Sequence, residues 1–253
     1  MGPKGFSMSQ VEVRFLGSGD AFGSGGRFQT CFYVRAETTR FLIDCGTSSL
    51  IAMKRFGVDP SLVETILLSH LHGDHFGGLP FFVLDAQFSR RTRPLVVAGP
   101  PGVETRVREA MEVLFPGSSQ VQRKFAIKFV ELKDRNKTTP GSLAVTPYGV
   151  VHPSGALPYA LRVECEEKVI GYSGDTEWTD ALVEAAHGAD LFICEAYFFE
   201  KKIKYHLDYR TLMEHRAQLG CHRLILTHMS DDMLPRLQGL DLEWAEDGKR
   251  IVL

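Results

Sequence analysis

No two cysteines in this sequence are spaced as C-x-x-C, and the five present, at positions 31, 45, 165, 194 and 221, are an odd number. That pattern excludes a zinc ribbon and a disulfide scaffold and fits a reducing compartment, so a cytoplasmic protein is expected. Cys45, Cys165 and Cys194 sit in apolar or strand-like runs, which predicts small buried hydrophobes. No stretch approaches the ~20 apolar residues of a membrane span, and the amino terminus lacks the charged-then-apolar pattern of a signal peptide. MGPKGFS ahead of Met8 reads as an added segment, with residues 8–253 forming one domain. There is no excess of charge: 29 Lys and Arg against 31 Asp and Glu leave a net −2, so the field of the whole molecule does not draw in a polyanion. Low-complexity segments, short repeats and a linker-like boundary are also missing. A chain of 253 residues can bury roughly 70–75% of its unfolded surface, enough for one large core without covalent staples.

What is present is an alternation of strands and helices. Val11–Leu16 alternates as a half-buried strand and runs into the glycine-rich segment 17–26. Strands are predicted at Cys31–Val34, Phe41–Asp44, Thr65–His70 and Pro94–Ala98, with helices over Leu50–Phe56 and Val103–Leu114, each closed by a glycine. The second half has a comparable order: strands at Leu143–Val151, Ala160–Cys165, Lys168–Tyr172, Leu191–Cys194 and Leu224–Thr227, and helices at Thr179–Ala186 and Leu212–Leu219. The polar stretch Lys133–Gly141 reads as a surface loop between two halves of one α/β domain.

Nine histidines are present, and three of them fall within His70-Leu-His72-Gly-Asp74-His75, directly after a predicted buried strand. Side chains two apart on an extended segment face the same way, so His70 and His72 can close on one ion while Asp74 and His75 aim at a second. Four ligands from one tight loop could hardly surround a single tetrahedral zinc and leave a catalytic position open, so two adjacent ions is the economical arrangement. Further candidate ligands stand at other predicted strand ends: His152, Asp175 and His228.

These residues make the sequence resemble the metallo-β-lactamase fold superfamily of dinuclear metallohydrolases. Its H-x-H-x-D-H hallmark is complete as His70, His72, Asp74 and His75, and its later motifs match His152, Asp175 and His228. The resemblance implies a four-layer αββα sandwich, one metal on His70, His72 and His152, a second on Asp74, His75 and His228, and Asp175 bridging them. Zinc is the expected metal, although manganese or iron accepts the same ligands. Within the superfamily, Tyr172-Ser-Gly-Asp175-Thr, Cys194-Glu195-Ala196, His206 and Leu226-Thr-His228-Met-Ser230 resemble four segments of ribonuclease Z in the same order. There the counterpart of His206 donates a proton to the leaving group and the counterpart of Glu195 orients that histidine. Ribonuclease Z also carries a long tRNA-binding arm before the bridging aspartate, whereas 22 residues separate His152 from Asp175 here, which argues against structured tRNA as substrate. A homodimer is implied by the resemblance alone.

Two divalent ions with a water between them bring that water's pKa toward neutrality, giving a hydroxide that attacks phosphorus, and departure of the sugar oxygen needs a proton donor. The expected activity is hydrolysis of a small or flexible phosphodiester, such as a cyclic nucleotide, a dinucleotide or an RNA end, with Asp74, His206 and Glu195 as catalytic residues. The rival readings are a hydrolase of a lactone, thioester or β-lactam on the same metals, and a sensor or binding protein that keeps the metals without turnover. Gly17-Ser18-Gly19 is a candidate phosphate cradle. Arg90, Arg91 and Arg93 read as a solvated basic face, Phe76, Phe81, Phe82 and Phe88 as core, and His187, His215 and His222 as background.

Overall fold

Alternation along a strand sorts its side chains onto two faces. In the computed structural model of the protein, which describes residues 10–253, both faces of each of two sheets are covered. The segment ahead of Met8 lies outside the described residues. The first half supplies β1 (Glu12–Gly17), β2 (Cys31–Arg35), β3 (Arg40–Ile43), β4 (Thr65–Leu67), β5 (Leu95–Gly99) and β6 (Ile127–Glu131). The second supplies β7 (Ala144–Gly149), β8 (Tyr159–Cys165), β9 (Lys168–Tyr172), β10 (Leu191–Glu195), β11 (Leu224–Thr227) and β12 (Glu243–Trp244). A last strand, β13 (Arg250–Val252), returns to the first sheet, whose order is β13-β1-β2-β3-β4-β5-β6, while the second runs β12-β11-β10-β9-β8-β7. Each sheet joins antiparallel strands (β13, β1, β2 and β3; β7, β8 and β9) to a parallel run.

The helices are α1 (Ser49–Arg55), α2 (Gly73–Phe76), α3 (Leu79–Phe88), α4 (Val103–Leu114), α5 (Ala181–Ala186) and α6 (Tyr209–Leu219). Three apolar clusters define the layers. Phe15, Phe41 and Ile43 of the first sheet meet Leu161, Tyr172 and Ile193 of the second in the middle. Leu42 and Val97 face outward against Met53, Phe82 and Val107 of α1, α3 and α4, and Phe192 and Leu226 face outward against Leu182 and Leu212 of α5 and α6. The result is the αββα sandwich, with Cys31, Cys45, Cys165 and Cys194 buried and unpaired.

Most elements lie within two or three residues of their predicted bounds, and Lys168–Tyr172 and Leu224–Thr227 coincide with them. The helix α3 has no amphipathic period to announce it: Leu-Pro-Phe-Phe-Val-Leu is apolar all round. Phe76 and Phe82 do join the core, but Phe81 and Phe88 stand 37% and 78% exposed.

The basic cluster also differs from a solvated face. Arg91 is 4% exposed and donates to the carbonyls of Pro60, Ser61, Val63, Arg93 and Pro94, tying the chain before β4 to the chain before β5. Truncation would leave buried carbonyls without donors, so Arg91→Ala is expected to lower stability by about 3 kcal/mol in urea denaturation. A loss below about 0.5 kcal/mol, the usual effect of a surface change, would refute this role.

Candidate metal centre

Every candidate ligand follows the carboxyl end of a strand, so the topology alone brings them to one edge of the sandwich. After β4 the chain crosses the sheet end in an extended segment carrying His70 and His72, then enters the single turn α2, which carries Asp74 and His75. His152 follows β7, Asp175 follows β9 and His228 follows β11. Gly174 takes φ +60°, and a Cβ there would come within 2.6 Å of the Tyr159 carbonyl oxygen, so this turn into Asp175 requires glycine.

Three overlapping groups result: His70, His72 and His152; Asp74, His75, Asp175 and His228; and His152, Asp175 and His206, with the ligand atoms of each group within 4.8 Å of one another. Oδ2 of Asp175 faces the first two, at 3.8 Å from His70 Nε2 and 4.0 Å from His152 Nε2 on one side. On the other it is 3.3 Å from His75 Nε2 and 3.2 Å from His228 Nε2.

Each imidazole commits one nitrogen to the protein. His75 Nδ1 is 2.7 Å from Asp44 Oδ2, and His70 Nδ1 is 3.1 Å from Ser69 Oγ. His152 Nδ1 is 2.9 Å from the Tyr205 carbonyl, and His228 Nδ1 is 3.3 Å from Thr30 Oγ1. His72 is turned the other way, its Nε2 3.1 Å from the Pro153 carbonyl. A neutral ring that donates to a carbonyl leaves a lone pair on its other nitrogen. His72 Nδ1 and His152 Nε2 then face each other as two acceptors 3.0 Å apart, an arrangement that a cation resolves. His70 Nε2, His75 Nε2 and Asp175 Oδ1 are buried with no hydrogen-bond partner among the described residues, although buried polar atoms normally have one. This nitrogen and carboxylate donor set therefore fits a divalent metal.

The electrostatics agree. Burial, reinforced by the neighbouring His75, pushes His70 well below its ordinary pKa, and burial lowers His152 to about 4, so both are neutral at pH 7 as ligands must be. Burial would also lower His75, but the carboxylates of Asp175, Asp74 and Asp44 overcome it and raise that ring well above its usual range. Asp175 shows the converse: burial would raise it, yet the imidazoles of His228 and His75 hold it well below the ordinary carboxylate range. Three buried carboxylates around one ring are an excess of negative charge, which either a proton or a metal cation balances.

Beside the cluster, Glu195 closes β10 fully buried. Its Oε2 lies 2.9 Å from His206 Nδ1 and its Oε1 accepts from the Thr176 backbone N–H. Burial would lower His206, but the Glu195 charge and hydrogen bond carry its pKa up to about 9. Its ring stacks on Tyr197 at 4.7 Å and lies 5.0 Å from the His152 ring, with Nε2 left free.

The supporting residues Asp44, Ser69, Thr30 and Tyr205 escaped the sequence reading. Asp44, at φ 58°, is the one with a signal, a carboxylate at the end of a predicted strand and two residues before a glycine. It also accepts from the Ser69 N–H and hydroxyl, both at 2.8 Å. Because such an outer carboxylate fixes ring orientation and basicity, Asp44→Asn is expected to weaken metal binding about 10- to 100-fold in a chelator competition. Unchanged affinity would remove Asp44 from the site's support.

Other candidates fall away. The Ser18 N–H donates to Asp247 Oδ1 and the Gly19 N–H to the Phe28 carbonyl, so Gly17-Ser18-Gly19 has neither to offer a phosphate. His187 and His222 are exposed, His215 is half-buried, and none of the three supplies an atom to a ligand group.

The family described as "Anti-Pycsar protein Apyc1" matches residues 11–243. The chain is 30% identical to ribonuclease Z of Methanothermobacter thermautotrophicus, covering 87% of each chain. It is 24% identical to ribonuclease Z of Agathobacter rectalis, covering 91% of this chain and 93% of that one. Among solved structures it is similar to the metallo-β-lactamase fold protein YhfI of Bacillus subtilis, with a TM-score of 0.78 at 18% identity over 97% of this chain and all of the other. Similarity to human tRNase Z, short form, has a TM-score of 0.75 at 22% identity over 95% and 98%. With a buried cluster suited to a divalent ion at its strand ends, the chain belongs to the anti-Pycsar protein Apyc1 family, within the ribonuclease Z-like branch of the metallo-β-lactamase fold, and is a metal-dependent phosphodiester hydrolase.

Proposed function

We propose that this enzyme hydrolyses a small phosphodiester, a cyclic nucleotide or dinucleotide, rather than a structured tRNA. The observation that carries this reading is the path between His152 and Asp175. The intervening residues are taken up by one short crossing and the paired strands β8 and β9, so no arm projects to grip a folded RNA. The alignment with the Agathobacter rectalis ribonuclease Z extends over 288 positions, more than the 253 residues here, so that relative carries segments this chain lacks.

His70, His72 and His152 would hold one divalent cation and Asp74, His75 and His228 a second, with Asp175 shared. Bound there, the cations supply a nucleophilic water at neutral pH and neutralise charge on the phosphoryl oxygens. The chain's own residues do the rest. Glu195 holds His206 Nδ1, which keeps the ring protonated and leaves Nε2 for the substrate. From there it gives its proton to the departing sugar oxygen, and it is this proton donor that suits a phosphodiester, whose alkoxide leaving group needs one.

The test is a competition between 3′,5′-cyclic nucleotide, dinucleotide and precursor tRNA under one metal condition. Turnover of a small diester without tRNA cleavage is expected. Clean cleavage of the tRNA at its 3′ end would overturn the proposal.

A further inference from the structure

His206 forms part of the wall of a cavity of about 240 Å³ that Trp178, Lys202 and Ile203 also line. Both walls are tied to the metal centre. Trp178 lies three residues after Asp175, on a segment pinned by the Thr176 N–H to Glu195 and by the Glu177 N–H to the Val151 carbonyl. Facing it, Lys202 and Ile203 enter the tight turn that ends at His206, in which Tyr205 takes φ 73° and offers its carbonyl to His152 Nδ1. The indole is itself held: it stacks on His215 of α6 with centroids 4.2 Å apart and planes 11° from parallel, and the His215 Nδ1 is 3.0 Å from the Gln218 side-chain amide. His215 is half-buried and belongs to none of the ligand groups, so its stack supports Trp178 and nothing in the centre.

We infer that this cavity is the nucleoside subsite of the enzyme, with Trp178, propped by His215, as the platform on which the substrate's base stacks. A flat aromatic group fixed beside an open space suits any nucleobase, because every base has a π-face, and it gives no such gain to a diester without a ring. The position of His206 at the same wall places the sugar of a stacked nucleoside next to the proton donor. The cavity admits one base with its sugar and no helical stem. Lys202 is exposed on the same wall, and Glu177 and Asp208 also line the cavity, so it offers polar edges of both signs to a bound base. This inference rests on the phosphodiesterase reading and adds the substrate class to it.

The test compares 3′,5′-cyclic AMP with the base-free cyclic deoxyribose phosphate on the metal-loaded enzyme. Wild type is expected to show a KM about tenfold lower for the nucleotide, Trp178→Ala to erase that ratio, and Trp178→Phe to restore most of it. A ratio that survives in Trp178→Ala would overturn the subsite. A second measurement keeps the inference separate from the hydrolytic reading. The chain has two tryptophans, so Trp244→Phe leaves Trp178 as the sole indole, and AMP should quench its emission saturably, less tightly when His215 is also alanine. Absence of saturable quenching would refute the platform. Quenching without hydrolysis of either diester would keep it and refute the phosphodiesterase.

Discussion

Asp175→Ala is expected to lower kcat/KM on a phosphodiester by at least about 10³-fold. The reason is geometric. One oxygen, Asp175 Oδ2, lies between 3.2 and 4.0 Å from ring nitrogens of His70 and His152 on one side and of His75 and His228 on the other, so its removal takes a ligand and a negative charge from each side at once. No neighbour replaces it, because Asp74 reaches only the His75 and His228 side. A second readout follows from linkage. A metal bound only by the folded chain raises its stability in proportion to the logarithm of metal concentration over Kd, so added metal raises Tm in the wild type and raises it less in Asp175→Ala. Conversely, stripping metal with a chelator should lower the wild-type Tm and leave the variant nearly unmoved. Full turnover with an undiminished Tm response would remove Asp175 from its shared position.

How much of this was legible beforehand depends on whether a feature is local in sequence. The strands Lys168–Tyr172 and Leu224–Thr227 and the helix that Gly220 ends at φ 60° are decided by nearby residues: apolar runs, a turn, a residue free to take the left-handed conformation. The cluster His70–His75 is also local, and the later candidate ligands can be picked out because each stands at a strand end. What stayed hidden is set by tertiary packing. Helix α3 is apolar on all sides, so periodicity has nothing to detect. Strand β13 pairs with β1 across almost the whole chain length, and Asp44 meets His75 across 31 positions. Arg91 looked like surface charge because its five carbonyl partners come from two separate approaches to the first sheet. His215 has no ligand spacing, and only the fold brings its ring onto Trp178.

Replacing His206 by alanine should reduce kcat about 10²- to 10⁴-fold on a substrate with an alkoxide leaving group, and much less on a bis-aryl phosphate whose phenolate departs without a proton. That contrast separates proton donation from a merely structural role. Glu195→Gln then tests how the proton is held. The carboxylate is fully buried with both oxygens engaged, and its charge is what lifts His206, against the cost of burial, to about 9. A proton donor works while protonated, so activity that needs it persists below this pKa and falls as pH rises through it. Glutamine keeps the shape and an acceptor oxygen but loses the charge, so the alkaline limb of the kcat profile should move to lower pH. Because Thr176 also bonds Glu195, a displaced strand end is the rival explanation for a loss. That explanation predicts a fall at every pH with the limb in place, whereas loss of the charge moves the limb itself. A profile of unchanged shape in Glu195→Gln would show that Glu195 positions the ring without governing its proton.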